Sequence, residues 1–228
     1  MAPKRLGRQT VCFDTPPCAA ASASAAGKKE SEGPLAGSFD LTFSDSYCGQ
    51  KSWEKAESTM LQSVFELACE RSGVQSSEVG YLLSGDLLNQ CVSSTFALRG
   101  AQAPFFGLFG ACSTMAESLT LAAMLIDGGF CDCACAMTSS HFCTAERQFR
   151  LPLEYGGQRP PTAQWTVTGA GAVLLRRGGS GVRVTHATTG RIVDAGIKDA
   201  ANMGAAMAPA SAIIDPCRAA AEACHGNV

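Results

Sequence analysis

What this 228-residue chain has little of narrows its chemistry first. Charged residues make up 17% of it and the net charge is -2, so there is no basic field to attract nucleic acid and no acidic tail. Long apolar runs are missing. Stretches such as residues 121–126 fall far below the roughly 20 residues that a spanning helix needs, so no transmembrane helix is expected. The opening MAPKRLGRQTVCFD carries basic residues without an apolar segment behind them, which does not read as a secretory signal. A cytoplasmic protein is expected. Its 12 cysteines contain no CxxC pair, which favours reduced core thiols over a disulfide framework or a zinc site. If residues 131–135 are extended, Cys131, Cys133 and Cys135 share one face. With no histidine or fourth cysteine at ligand spacing, they are expected to pack and not to hold a metal.

What is present centres on residues 104–129, PFFGLFGACSTMAESLTLAAMLIDGG. Residues 104–110 read as a strand covered on both faces, and Leu119, Ala122, Ala123 and Ile126 then recur at helical spacing. Thr114 and Glu117 fit a capping box, and the pair Gly128 and Gly129 ends the helix. The helix therefore starts within two residues of Cys112. Free amides and the helix dipole at such a position stabilise a thiolate or a bound anion. The alternative is that Cys112 is a small buried hydrophobe.

Around this centre, residues 10–52 are rich in Ala, Ser, Gly and Pro and read as a long surface excursion, with a first strand near Val11 and Phe13. A second helix follows, with Trp53, Ala56, Met60, Leu61, Val64, Phe65 and Ala68 on one stripe, Ser52 as N-cap and Gly73 as its close. Strands are expected near residues 80–85, 105–111, 133–139, 166–175 and 182–188, the last two as a hairpin over residues 177–181. The segment HFCTAERQFRLPLEYGGQRPPTAQW between them reads as a polar connection. Alternating helices and strands imply an α/β sheet with helical covers. Sites lie at the carboxyl ends of such strands, where Asp86, Asn89, Gln90, Cys112, Ser139, Ser140 and His141 stand. His141 is a candidate acid, base or donor, or else a loop histidine facing water. Glu146, Arg147 and Arg150 read as a solvated loop, although either arginine suits a bidentate carboxylate clamp.

The order VGYLLSGD, PFFGLFGACST, LIDGG, TSSH and TVTGAGAVLL resembles the first half of the thiolase superfamily, in particular ketoacyl synthase III-like enzymes. The longer strings GDLLNQ, FGACST, TSSH, TAERQFR, EYGGQ, TVTGAGAV and NMGAAMAP resemble the stage V sporulation protein AD family over residues 7–210. The resemblance implies a thiolase-like α/β fold: a mixed, mainly parallel five-stranded sheet with helices over residues 1–180, and the start of a second half over residues 181–228. It further implies a soluble accessory protein, peripheral to the spore inner membrane beside the small membrane proteins of the same operon. Its implied ligand is dipicolinic acid (pyridine-2,6-dicarboxylate), handled with calcium and moved into the developing endospore. Cys112 takes the thiolase nucleophile position, expected to mark ligand binding without covalent catalysis, and Ser113, Asn89, His141 and Arg147 are the further ligand-binding candidates. No metal is assigned to a protein site.

Two other functions compete with this one. In an acyltransferase, Cys112 would take an acyl group from a coenzyme A thioester, the one cofactor such a reading needs, while backbone amides hold the oxyanion. In an inert half-domain the chain would keep only a structural role. Thiolase-like proteins draw further site residues from a second half. The tail IIDPCRAAAEACHGNV matches no second-half motif, nor do His186 and His225, so a truncated product or a fragment completed by another chain is expected. The resemblance also implies a homodimer, paired through the edge strand that precedes the cysteine, here residues 104–110, and an exposed apolar edge needs a cover.

Overall fold

A six-stranded mixed sheet and a three-stranded satellite sheet take up the strands of the computed structural model, which describes residues 4–149, 166–190 and 196. In chain order the strands are β1 (Arg5–Leu6), β2 (Thr10–Cys12), β3 (Cys18–Ala26), β4 (Leu41–Thr42), β5 (Tyr81–Gly85), β6 (Phe105–Gly107), β7 (Cys133–Ser140), β8 (Gly169–Arg176) and β9 (His186–Thr188). The helices are α1 (Lys28–Ser31), α2 (Trp53–Ser72), α3 (Val92–Leu98), α4 (Thr114–Asp127) and α5 (Phe142–Phe149). The large sheet has the order β4-β3-β8-β7-β5-β6. Pairings β3 with β4, β5 with β6 and β5 with β7 are parallel, whereas β8 is antiparallel to both β3 and β7. The sheet is mixed and mainly parallel, as the sequence implied, with one strand more than expected.

Each face of the sheet has its own helix. The α2 stripe of Met60, Leu61, Val64, Phe65 and Ala68 packs on Leu82, Cys135, Met137, Ala172 and Leu174. Burying each of the larger side chains contributes roughly 1.5–3 kcal/mol. On the opposite face Ala122, Ala123 and Ile126 of α4 pack on Leu83, Ala134, Ala136 and Leu175. The small residues of β7 let both helices approach closely, and Ala134, Cys135 and Ala136 are fully buried between them. The α2 caps are those expected: Ser52 Oγ accepts from the Lys55 amide at 3.4 Å, and Gly73 takes φ 68° at the other end.

Several expectations are corrected. The stretch CAAASASAA is not surface excursion but the nine-residue β3, paired on both sides inside the sheet. Alanine and serine are poor strand formers taken singly, but Ala23 and Ala25 lie under α2, where larger side chains would not fit. The excursion is confined to the segment after β3, where Asp40 accepts from the Ser24 amide and pairs with Arg71. Residues 142–149, read as a polar connection, form α5. Residues 182–188 do not form a hairpin with β8, since β9 pairs antiparallel with β2 in the satellite sheet. Cys131 precedes β7 and packs on the α4 side, whereas Cys133 and Cys135 join the α2-side core, so the three thiols do not share one face.

Candidate active site

The approach to Cys112 begins at β5, where Gly85 admits the chain that follows β6. A Cβ at Gly85 would overlap the Leu108 carbonyl and stand 2.8 Å from Thr114 Cγ2, so only glycine lets the loop cross there. The expected strand at residues 105–111 keeps ladder pairing only over Phe105–Gly107. Ala111 then turns with φ 48°, a left-handed conformation that costs a non-glycine residue about 1 kcal/mol. A single 3-10 turn, Ala111–Ser113, carries Cys112 and leads directly into α4.

Cys112 is exposed, which overturns its reading as a buried hydrophobe. The expected capping box is absent. Ser113 is the residue before the helix, its hydroxyl donates to the Gly110 carbonyl at 2.7 Å, and no side chain caps the first turn. Thr114 is instead buried beneath the loop. The Ser113 amide is bonded to the Gly110 carbonyl and the Thr114 amide to the Ala111 carbonyl, so what α4 turns toward Cys112 is the positive end of its dipole.

What lies there is a cleft of about 670 Å³. Cys112 and Met115 form one wall, Ser139 and Ser140 from the end of β7 another, and Glu146 of α5 and Gly171 of β8 also line it. Glu146 was read as part of a solvated loop. It is buried, and the Thr166 hydroxyl donates to its Oε1 at 3.1 Å.

The other candidates are placed as follows. His141 is 1% exposed, so it is no loop histidine facing water. Its Nδ1 accepts from the Cys143 amide at 3.2 Å, which leaves the proton on Nε2, and Nε2 donates to the Ser46 carbonyl at 2.8 Å. Burial holds its pKa below the ordinary value. A ring held in this way has neither nitrogen left for a proton from Cys112. Arg147 pairs with Glu54 and lies over the Trp53 ring, 5.5 Å from its centre. The Asn89 amide donates to Gln148 Oε1 at 3.1 Å. Among the described residues, Cys112 is the one of the five candidates that lines the cleft. Arg150 lies outside the described residues.

Asp86 is buried and accepts from the Leu88 amide at 2.8 Å and from both the amide and hydroxyl of Ser94 at 2.7 Å. Ser94 is the third residue of α3, so Asp86 does the work of an N-cap that Cys91, left-handed at φ 52°, does not supply. Close by is Glu57 of α2, a residue that sequence reasoning missed. It is 1% exposed, and its carboxyl takes hydrogen bonds from Ser139 and Thr144. Burial first, and then the charge of Asp86, push it up to about 7. The available signal was an acid inside the apolar stripe, three residues before Met60 and four before Leu61.

A cysteine that follows a strand and a turn and opens a helix packed on the sheet is what the thiolase-like resemblance implied. The fold agrees with 3-oxoacyl-[acyl-carrier-protein] synthase III from Aquifex aeolicus VF5, at a TM-score of 0.50 and 12% identity over 72% of this chain and 55% of that one. An OleA variant from Xanthomonas campestris aligns at a TM-score of 0.48 and 13% identity, over 73% of this chain and 57% of that one. Residues 7–217 match the family stage V sporulation protein AD, and the chain belongs to that family. It is 46% identical over 209 residues to stage V sporulation protein AD of Bacillus subtilis (strain 168), covering 92% of this chain. The chain spans 62% of that relative's length. Family membership ties it to sporulation. No helix among the described residues is long and apolar enough to cross a membrane.

Proposed function

We propose that the chain is a binding accessory for pyridine-2,6-dicarboxylate, taken with calcium into the developing endospore, and that the ligand lies in the cleft against Cys112. The observation that carries this reading is the first turn of the 14-residue α4, which follows Cys112 and puts Met115 on the cleft wall, since the positive end of the helix dipole stabilises a carboxylate there without any nucleophile. The closed hydrogen bonds of His141 support binding over catalysis, because a thiol needs a base to act. Asn89, Ser113, His141 and Arg147 enter this reading as positions to vary beside Cys112. The protein would work as a homodimer through β6, peripheral to the spore inner membrane and in company with the small membrane proteins of its operon.

Calorimetry with pyridine-2,6-dicarboxylate tests it. Cys112→Ala is expected to weaken binding modestly, and Cys112→Asp, which sets a negative charge against the incoming carboxylate, to abolish it. Equal affinities for the two variants would count against the site. Two rivals stand beside it, an inert half-domain, which would bind no dicarboxylate, and an acyltransferase using the exposed Cys112. Incubation with acyl-coenzyme A followed by intact mass decides on the second, since an acyl adduct on Cys112 would replace the binding reading with the transferase.

A further inference from the structure

The wall of the cleft is fastened from behind by an acid that no chemistry at Cys112 requires. Ser139 donates to Glu57 Oε1 at 3.0 Å, and Thr144 lies 3.1 Å from Oε2. Ser139 is the next-to-last residue of β7 and lines the cleft; Thr144 is in the first turn of α5, whose Glu146 lines it too. One buried carboxyl therefore joins α2 to both elements that form this side of the cleft.

The Thr144 hydroxyl has a second acceptor, the His141 carbonyl at 3.0 Å. One hydroxyl proton serves one acceptor. When Glu57 is ionised, Ser139 and Thr144 both donate to it and the His141 carbonyl keeps only the Ala145 amide. When Glu57 is protonated, its own proton goes to Thr144 Oγ1 and Thr144 donates to His141, so α2, β7 and α5 stay joined as before and the turn between β7 and α5 gains the bond that ionisation gives up. We propose that Glu57 is a positioning residue of the cleft, which through Ser139 and Thr144 sets the placement of the β7 end and the α5 start and so makes ligand affinity depend on the protonation of an acid the ligand never touches.

The surroundings place that change near neutrality, since burial and Asp86 push Glu57 up to about 7. The groups facing it are Asp86 after β5, the hydroxyl of Ser93 on α3, Ser139 on β7 and Thr144 on α5. The remaining charges of the elements packed there are otherwise engaged. Glu54 of α2 pairs with Arg147 of α5, Glu146 receives the Thr166 hydroxyl, and His141 is bonded to Ser46 and Cys143.

The inference rests on the cleft being the ligand site, so two measurements separate the claims. Binding of pyridine-2,6-dicarboxylate is followed by calorimetry between pH 6 and pH 8 for the wild type, Glu57→Gln and Glu57→Leu. The wild type is expected to bind about tenfold more tightly at pH 6, the size of one pKa unit of coupling. The Gln variant, which keeps the bonds of the protonated acid, is expected to hold the pH 6 affinity throughout, and the Leu variant to bind weakly at both values. A Gln variant that keeps the wild-type pH dependence, or a wild type that binds without any, overturns the proposal. If the wild type binds no dicarboxylate at all, the ligand reading fails by itself. The positioning role is then decided on the ligand-free protein by hydrogen exchange at the Ser140 and Ala145 amides. Protection that falls with pH in the wild type and not in Glu57→Gln upholds it; identical profiles refute it.

Discussion

Replacing Gly85 by alanine probes the link between the sheet and the Cys112 turn more directly than any change at the cysteine. The added Cβ would overlap the Leu108 carbonyl, and it would stand 2.8 Å from Thr114 Cγ2 and 2.9 Å from the Leu108 carbonyl carbon, against 3.4–4 Å for ordinary contact. Thr114 is the buried first residue of α4 and the obstructing Leu108 atoms are backbone, so the clash is not relieved by rotating a surface side chain. The Leu108 carbonyl must retreat by more than about 1 Å, and strain of this kind in a packed core costs about 1–3 kcal/mol. The Leu108 amide bonds the Ser84 carbonyl at 2.9 Å, and the Cys91 thiol donates to the Leu108 carbonyl at 3.3 Å, so the retreat also loosens those contacts. Urea unfolding should show Gly85→Ala less stable by about 3 kcal/mol, at the upper end of that range because the obstacle is main chain. Alkylation of Cys112, followed by peptide mass, should change in rate as its turn moves. A variant within about 0.5 kcal/mol of wild type, the usual spread for harmless substitutions, and with an unchanged Cys112 rate would refute the argument.

Other outcomes follow from the same packing. Glu57 rises from 4.5 to about 7 on folding, so between those values the folded state holds a proton that the unfolded state has lost; stability should fall as pH rises from about 4.5 to 7 by about 3 kcal/mol, then level off. Urea midpoints at several pH values check this, and Glu57→Gln should lack the slope. Ala25→Leu, which overfills the α2 side of β3, should cost about 1–3 kcal/mol in the same assay, whereas the exposed Ser22→Thr should be nearly silent. Phe106, stacked on Tyr81 at 5.6 Å and 47% exposed at the β6 edge, is expected to lie in the dimer interface. Sedimentation at roughly tens of micromolar should show dimer for the wild type and monomer for Phe106→Asp, association being concentration-dependent.

The parts of the fold legible in the sequence were those whose signal is local. Trp53 to Ala68 repeat at helical spacing with a serine before and a glycine after, and α2 has those caps. Residues 104–129 announced a strand, a joint and a helix in that order, and the joint holds Cys112. What was not legible depended on distant partners. The alternation in CAAASASAA is visible, yet only the closeness of α2 makes alanine the right residue for a central strand. His141 gave no hint that Ser46, 95 positions away, would take its Nε2 proton. Glu146 and Arg147 are neighbours of similar polarity in sequence, yet α5 turns the first into the cleft and the second onto Trp53. Glu57 was hidden by its context, because an acid in an otherwise apolar stripe reads as a breach of pattern until Ser139 and Thr144 are found against it.

The hold of Asp86 on α3 has a kinetic consequence. A helix of seven residues with no side-chain cap of its own is too short to persist alone, so it lasts by what it docks on: Ser94 on Asp86, the Ser93 carbonyl on the Ser58 hydroxyl, and Ala97 and Leu98 in the α2-side core. Native-state opening at this corner should therefore be all or none: once these contacts are lost, α3 and the turn through Gln90 and Cys91 swing out together while β7, β8 and β3 stay paired. The corner behaves as a panel held by several catches, of which Asp86 is the most buried, and it adjoins β6, the sheet's own margin.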